Sequence, residues 1–218
     1  MSMKSRSEKQ FGRLITLEGG EGAGKSTQAR RLAAALKDRG HDVILTREPG
    51  GSPGAEDVRK LLVEGEPGRW SALSETLLLY AARVDHIERT IGPALSVGNW
   101  VICDRFTDST YAYQGVARGL ARETIRRIEA VSLGDFKPHL TLILDLPPQD
   151  GLSRAMARDV VASRFEQFDL AFHDKLRQAF LDLARRAPDR CAVIDAVGSE
   201  DEVAQRIWTT VASRLKVE

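Results

Sequence analysis

Gly19-Gly20-Glu21-Gly22-Ala23-Gly24-Lys25-Ser26, with Thr27 next, fits the pattern G-x-x-x-x-G-K-[ST]. The flanks suit it. Leu14-Ile15-Thr16-Leu17 is a short β-rich run before the pattern, and the stretch from Gln28 to Leu36 after it is helix-forming. A strand, a glycine loop and a helix N-terminus make a cradle for phosphates. Its backbone N–H groups point inward, and the helix dipole favours negative charge. Glycines let the backbone come close without a Cβ in the way. In such a cradle Lys25 neutralises β/γ-phosphate charge and the Ser26 hydroxyl sits on Mg²⁺. The pattern names a ligand class, a nucleoside triphosphate, and leaves open what is done with it.

Beyond the loop, short apolar runs alternate with longer helical patterns. The strand candidates are 12–18, Val43 to Thr46, Trp100 to Cys103, Leu140 to Leu146 and Cys191 to Ile194. Helical segments are expected at 25–38, 54–63, 71–97, 121–133, 147–158, 165–186 and 199–215. This alternation predicts an α/β fold with a parallel sheet and helices on both faces. The strands read as near-continuous apolar runs, as they do when both faces are covered. No linker or repeat interrupts residues 11–218, which are expected to form a single domain. Met1 to Gln10 is polar and charged, lacks the apolar core of a secretory signal, and is read as a disordered tail.

Composition narrows the class. With a formal net charge of +1, no global field favours nucleic acid or an anionic membrane. No apolar run approaches the ~20 residues of a membrane span. Cys103 and Cys191 lie beside apolar runs and read as small core residues, and the four histidines show no metal spacing. A cytoplasmic protein is expected.

In parallel α/β sheets ligands collect at the carboxyl ends of the strands. After the second strand, Thr46-Arg47-Glu48-Pro49-Gly50-Gly51 forms either a rigid charged binding loop or a solvated turn, and Arg59 follows. After the third, Asp104 either faces the Mg²⁺ across from Ser26 or closes a strand-end salt bridge, and Arg105 is suited to bidentate phosphate contact. Arg83 ends an apolar helical stripe, Leu77-Leu78-Leu79-Tyr80-Ala81-Ala82, so it either snorkels to solvent or meets a buried anion or base. After the fourth, Arg154, Arg158 and Arg164 flank a short break between helices. That segment, about 150–166, is either a solvated hairpin or a lid that brings cations to a transferring phosphoryl group.

Taken together these residues resemble the thymidylate kinase family. Val101-Ile102-Cys103-Asp104-Arg105-Phe106-Thr107-Asp108-Ser109-Thr110-Tyr111-Ala112-Tyr113-Gln114 looks like the family signature at nearly every position. Thr46 to Gly51 is similar to the bacterial form of the second loop, and Leu133 to Leu142 matches a further family stretch. The resemblance implies a P-loop kinase fold with a five-stranded parallel sheet and a mobile lid, and phosphoryl transfer from ATP to dTMP with Mg²⁺. It also implies a homodimer.

Carried over residue by residue, the resemblance implies that Glu21 contacts the dTMP sugar hydroxyl. Glu48, Arg59 and Arg105 would line the dTMP phosphate region. Arg83 and Gln114, with Thr110 beside them, would bind the thymine edge. Tyr113 would press where a ribose 2′-hydroxyl would sit, and Asp104 would act on the Mg²⁺ side. Gly22 stands where another branch of the family carries a loop arginine. The branch with glycine there takes its catalytic arginine from the lid, which by alignment is Arg158. Leu79 replaces a phenylalanine that stacks on thymine in many members, and Ser163 stands where an aspartate is common. Two rival readings are a kinase for another nucleotide and a P-loop switch that hydrolyses ATP without an acceptor.

Overall fold

Each of the five apolar runs forms a strand, and each strand ends on a charged residue. In the computed structural model, which describes residues 12–66, 68–156 and 168–217, the strands are β1 Leu14–Glu18, β2 Val43–Arg47, β3 Trp100–Asp104, β4 Leu140–Asp145 and β5 Cys191–Asp195. All pair in parallel, in the order β2-β3-β1-β4-β5. Their carboxyl ends therefore share one edge of the sheet, which carries Glu18, Arg47, Asp104, Asp145 and Asp195. The expected tail, Met1 to Gln10, lies outside the described residues.

The helices are α1 Lys25–Lys37, α2 Pro53–Val63, α3 Ala72–His86, α4 Gly92–Ser96, α5 Thr107–Thr110, α6 Arg122–Leu133, α7 Pro148–Met156, α8 Leu170–Arg186 and α9 Glu200–Leu215. Side chains alternate across β1. Ile15 and Leu17 pack with Leu32 and Leu36 of α1 and with Val203, Ile207 and Val211 of α9. Leu14 joins Ile91, Val101, Cys103 and Phe106 on the opposite face. Beside that cluster, Ile143 packs with Leu176 and Phe180 of α8. Each fully buried Leu, Ile or Phe contributes ~1.5–3 kcal/mol. The last helix starts on a capping box, with Ser199 and Glu202 each holding the other's backbone N–H.

Two stretches differ from the expected elements. The helix expected over 71–97 is widened at Ile87–Ile91 into a π-helical turn, where Gly92 N–H reaches back to the Ile87 carbonyl. Pro93 supplies the reason: it has no N–H to donate and its ring crowds the preceding turn. Secondly, the signature segment is helical, as α5 followed by a π-helical run at Tyr111–Ala117. Its β-branched and aromatic residues have low helix propensity, which hid it. Tertiary packing of Ala112 and Tyr113 against α8 overrides that propensity.

Candidate active site

The phosphate loop leaves β1 at Glu18 and enters α1 at Lys25, passing through Gly22 and Gly24 at φ +66° and +86°. Gly22 has a second constraint. A Cβ there would lie 1.8 Å from the Gly151 carbonyl oxygen of α7, and a Cβ on Gly151 would lie 2.3 Å from the Glu21 carbonyl oxygen. The two glycines thus let the base of α7 press directly on the loop. Lys25 is buried and its Nζ donates to the Gly20 carbonyl at 2.6 Å. Burial, with the positive charge of Arg105 nearby, brings its ammonium down to about 8. Ser26 donates its hydroxyl hydrogen to Asp104 Oδ2, so the loop hydroxyl and the strand-end carboxylate meet across the sheet edge.

Arg105 follows with φ +72°, a left-handed conformation that costs a non-glycine residue about 1 kcal/mol or more. The bend turns its guanidinium back over the loop. There it donates to the Gly19 carbonyl and Ser109 Oγ at 3.1 Å, to both Glu21 carboxylate oxygens at 3.1 Å and to the Tyr113 hydroxyl at 2.9 Å. Tyr113 in turn donates to Glu21 Oε1 at 2.6 Å. Burial works to raise the Glu21 carboxyl, but Arg105, Lys25 and the Tyr113 bond outweigh it and bring it to about 2. The Tyr113 ring is held edge-on by Phe172 and Phe180.

At the opposite end Arg83 is 2% exposed. Its Nε donates to Glu48 Oε2 at 2.6 Å and its Nη2 to Thr110 Oγ1 at 3.2 Å. Glu48 Oε1 lies 3.1 Å from His86 Nδ1, and His86 Nε2 lies 2.7 Å from Thr46 Oγ1. Gln114 Nε2 donates to Glu75 Oε1 at 2.7 Å, and Glu75 also receives Arg118 at 2.9 Å. Since Glu75 only accepts, it fixes the Gln114 amide with its oxygen turned away. The buried polar atoms without a hydrogen-bond partner among the described residues include the Arg83 Nη1 donor and the Gln114 Oε1 acceptor. Both residues line the same cavity of ≈ 700 Å³ as Lys25, Asp104 and Arg105.

A sequence model of the thymidylate kinase family matches residues 17–207. The chain belongs to that family. It is 58% identical over 204 residues to a thymidylate kinase of Caulobacter vibrioides, covering 94% of this chain and 98% of that one. It is 56% identical over 195 residues to one of Dinoroseobacter shibae, covering 89% and 94%. A crystal structure of thymidylate kinase from Ehrlichia chaffeensis superposes with a TM-score of 0.74 at 33% identity, over 92% of this chain and 99% of that one. The fold is the P-loop kinase fold, and the activity is that of a nucleoside monophosphate kinase, the ATP-dependent phosphorylation of dTMP to dTDP.

Most of the thymidylate kinase residues expected from the sequence meet at this cavity. Glu21, Gly22, Ala23, Gly24, Lys25, Ser26, Thr27, Glu48, Arg59, Leu79, Arg83, Asp104, Arg105, Thr110, Tyr113, Gln114 and Arg154 all line it. Gly19 and Gly20 instead face a small recess behind the loop. Glu48, expected to line the dTMP phosphate region, lines the cavity with its carboxylate engaged by Arg83 and His86. Buried positive charge drew it there. Arg59 donates to the Pro49 carbonyl at 2.6 Å. Arg154 is exposed on α7. Arg158, Ser163 and Arg164 lie outside the described residues. The sequence reading missed Glu75 and His86, and also the β5–α9 turn, where Ala196, Gly198 and Ser199 extend the cavity. A carboxylate and an imidazole on the apolar stripe of α3 were the available signal for Glu75 and His86.

Proposed function

We propose that the cavity holds ATP and dTMP end to end, with the thymine edge read by Arg83 and Gln114. One observation carries this reading: the unpartnered donor and acceptor at the buried end, Arg83 Nη1 and Gln114 Oε1. A 4-oxo pyrimidine offers the complement, the O4 acceptor beside the N3–H donor, whereas cytosine offers an amino donor at position 4 and an acceptor at N3. A site built to pair with one pattern rejects the other strongly, because mismatched buried groups stay unpaired. Thr110 steadies Arg83. Leu79 packs on the base, without the ~0.5–1.5 kcal/mol that an aromatic pair adds.

Toward the loop, Glu21 meets the sugar hydroxyl and Tyr113 fills the place of a ribose 2′-hydroxyl. Arg105, with Arg59 near it, holds the dTMP phosphate. Its oxygen is already anionic, so attack on the γ-phosphoryl needs no general base, and catalysis is positioning plus charge stabilisation. Gly19 to Thr27 cradle the ATP phosphates, and Lys25 offsets charge there. The paired hydroxyl and carboxylate of Ser26 and Asp104 are hard oxygen donors that fit Mg²⁺, which prefers one or two such ligands plus phosphates. Ser26, and Asp104 directly or through water, would hold it, and it would neutralise phosphate charge. A lid over about 150–166 adds Arg154, Arg158 and Arg164, with Arg158 as the catalytic arginine, and excludes water.

The working unit is one domain over residues 11–218, acting in the cytoplasm as a homodimer. Leu73, Leu77 and Ala81 support a second copy as partner: spaced at i, i+4, i+8 on α3, they leave an exposed apolar stripe. Among the described residues no helix is long and apolar enough to cross a membrane.

The test follows ADP formation with ATP–Mg²⁺ against dTMP, dUMP, dCMP and dGMP. dTMP is expected to exceed dUMP by about 10-fold or more, since one methyl in an apolar pocket is worth ~1–3 kcal/mol. It should exceed dCMP by a wider margin. Equal kcat/KM for dTMP and dCMP would overturn the base-edge reading.

A further inference from the structure

Glu18 is absent from every role above, yet it is fully buried at the carboxyl end of the central strand β1. Along β1 it shares a face with Leu14 and Thr16, so it points away from the phosphate cradle and α1. It faces the turn after β3. Its Oε1 accepts the Phe106 N–H at 2.7 Å and the Ser109 N–H at 3.3 Å, and its Oε2 accepts the Ser109 hydroxyl at 2.6 Å. Phe106 and Ser109 bracket the start of α5, so Glu18 caps that helix from a strand far away in sequence. The residue just before this cap is Arg105, at φ +72°. Its own N–H is taken by the Leu17 carbonyl at 2.9 Å. Strain of this kind persists only where surrounding groups over-determine the conformation. Ser109 completes the link: its hydroxyl donates to Glu18 and accepts from Arg105 Nη1 at 3.1 Å.

We infer that Glu18 is a positioning residue for the acceptor phosphate: it locks the turn after β3 and, through the Ser109 hydroxyl, aims the Arg105 guanidinium. The carboxyl has no ligand contact of its own in this arrangement. It fixes the φ-strained backbone on one side of Arg105 and one guanidinium nitrogen on the other. Burial, followed by the charge of Asp108, raises the Glu18 carboxyl to about 7. Its carbonyl oxygen can accept the two N–H groups in either protonation state. Glutamine keeps the carbonyl that accepts the two N–H groups but puts a donor where Oε2 accepts the Ser109 hydroxyl, so it preserves the turn and loses the Ser109 link, whereas alanine loses both.

This inference rests on Arg105 holding the dTMP phosphate, and the experiment separates the two. Binding of dTMP and of thymidine is measured by titration calorimetry in the wild type, Glu18→Ala, Glu18→Gln, Ser109→Ala and Arg105→Ala. Glu18→Ala should weaken dTMP by about 10-fold or more and thymidine by less than about 2-fold, because only the phosphate end is disturbed. Glu18→Gln, which keeps the turn contacts but not the Ser109 link, should recover part of the loss. If Glu18→Ala fails to fold, Ser109→Ala, which removes the connecting hydroxyl, carries the same test with a smaller loss in the same direction. In an Arg105→Ala background either change should add nothing further. Equal weakening of dTMP and thymidine, or losses that add to that of Arg105→Ala, would overturn the positioning role while leaving Arg105 on the phosphate. If Arg105→Ala itself leaves dTMP binding unchanged, the phosphate reading fails and the positioning role falls with it.

Discussion

The two ends of the cavity are built on opposite plans. At the base end Arg83, Gln114, Thr110, Glu75, His86 and Glu48 are all buried, and they hang on α3, on the helical segment after β3 and, for Glu48, on the loop after β2. Each is braced by another before any ligand arrives. At the transfer end Ser26 and Arg154 are exposed and Asp104 is half-buried, and the supporting pieces are a glycine loop and the start of α7. On the proposed reading, specificity is stored in the core, while the chemistry is assembled at the surface around the phosphates. The division follows from charge. A neutral base can be read in a dry pocket, but triphosphate and Mg²⁺ must enter hydrated and be stripped gradually.

The sharpest way to break this contrast is Arg158→Ala. Gly22 leaves the loop without an arginine, so kcat should fall about 100-fold or more with dTMP affinity changed less than about 3-fold. Single-turnover rates alongside dTMP binding check this, and an unchanged kcat would move the catalytic cation elsewhere. Gln114→Ala probes the other end. It removes the base acceptor and should raise the KM for dTMP about 10-fold with a smaller change in kcat, the reverse split, read from steady-state kinetics.

Gly22→Ala tests whether the loop and α7 are one assembly. It adds strain at φ +66° and a clash with the Gly151 carbonyl. A loss of about 1–3 kcal/mol is expected, which lowers Tm by about 3–8 °C. Gly24→Ala, also at positive φ but with nothing within 4 Å of its Cβ, should cost less. Thermal melts of the two side by side decide it.

The smallest effect is a pH signature of two neighbouring glutamates. Glu18 is raised to about 7, so its contribution to stability is present below the unfolded value of 4.5 and is lost as pH rises through 7. Glu21 is lowered to about 2, so its contribution is present above 4.5 and is lost as pH falls through 2. Urea unfolding at pH 5 and pH 8 should show wild type losing stability toward pH 8, and Glu18→Gln losing less.

The sheet and the loop were legible because their signals are local. An apolar run, its charged last residue and a glycine pattern all fit within ten residues. The braces were not legible, because they join positions distant in sequence: Glu48 to Arg83, Gln114 to Glu75, Glu18 to Ser109. The helix at α5 escaped for a different reason, since burial and not propensity forms it. Glu48 shows the limit of reading by motif. Its presence near the site was visible, but its partner depends on which buried cation the fold brings closest.

The close approach of Gly22 to Gly151 has an evolutionary consequence. Any side chain at position 22 would force α7 off the loop, so in this chain a loop arginine and a docked α7 exclude each other. On the proposed reading, with the catalytic arginine on the lid, gaining the loop cation before losing the lid cation would pass through a clash with Gly151. The first step would displace the helix that carries Arg154 toward the site before the new charge had a working geometry. The two ways of supplying the arginine are separated by a steric valley, and the missing methyl at Gly22 marks which side this chain is on.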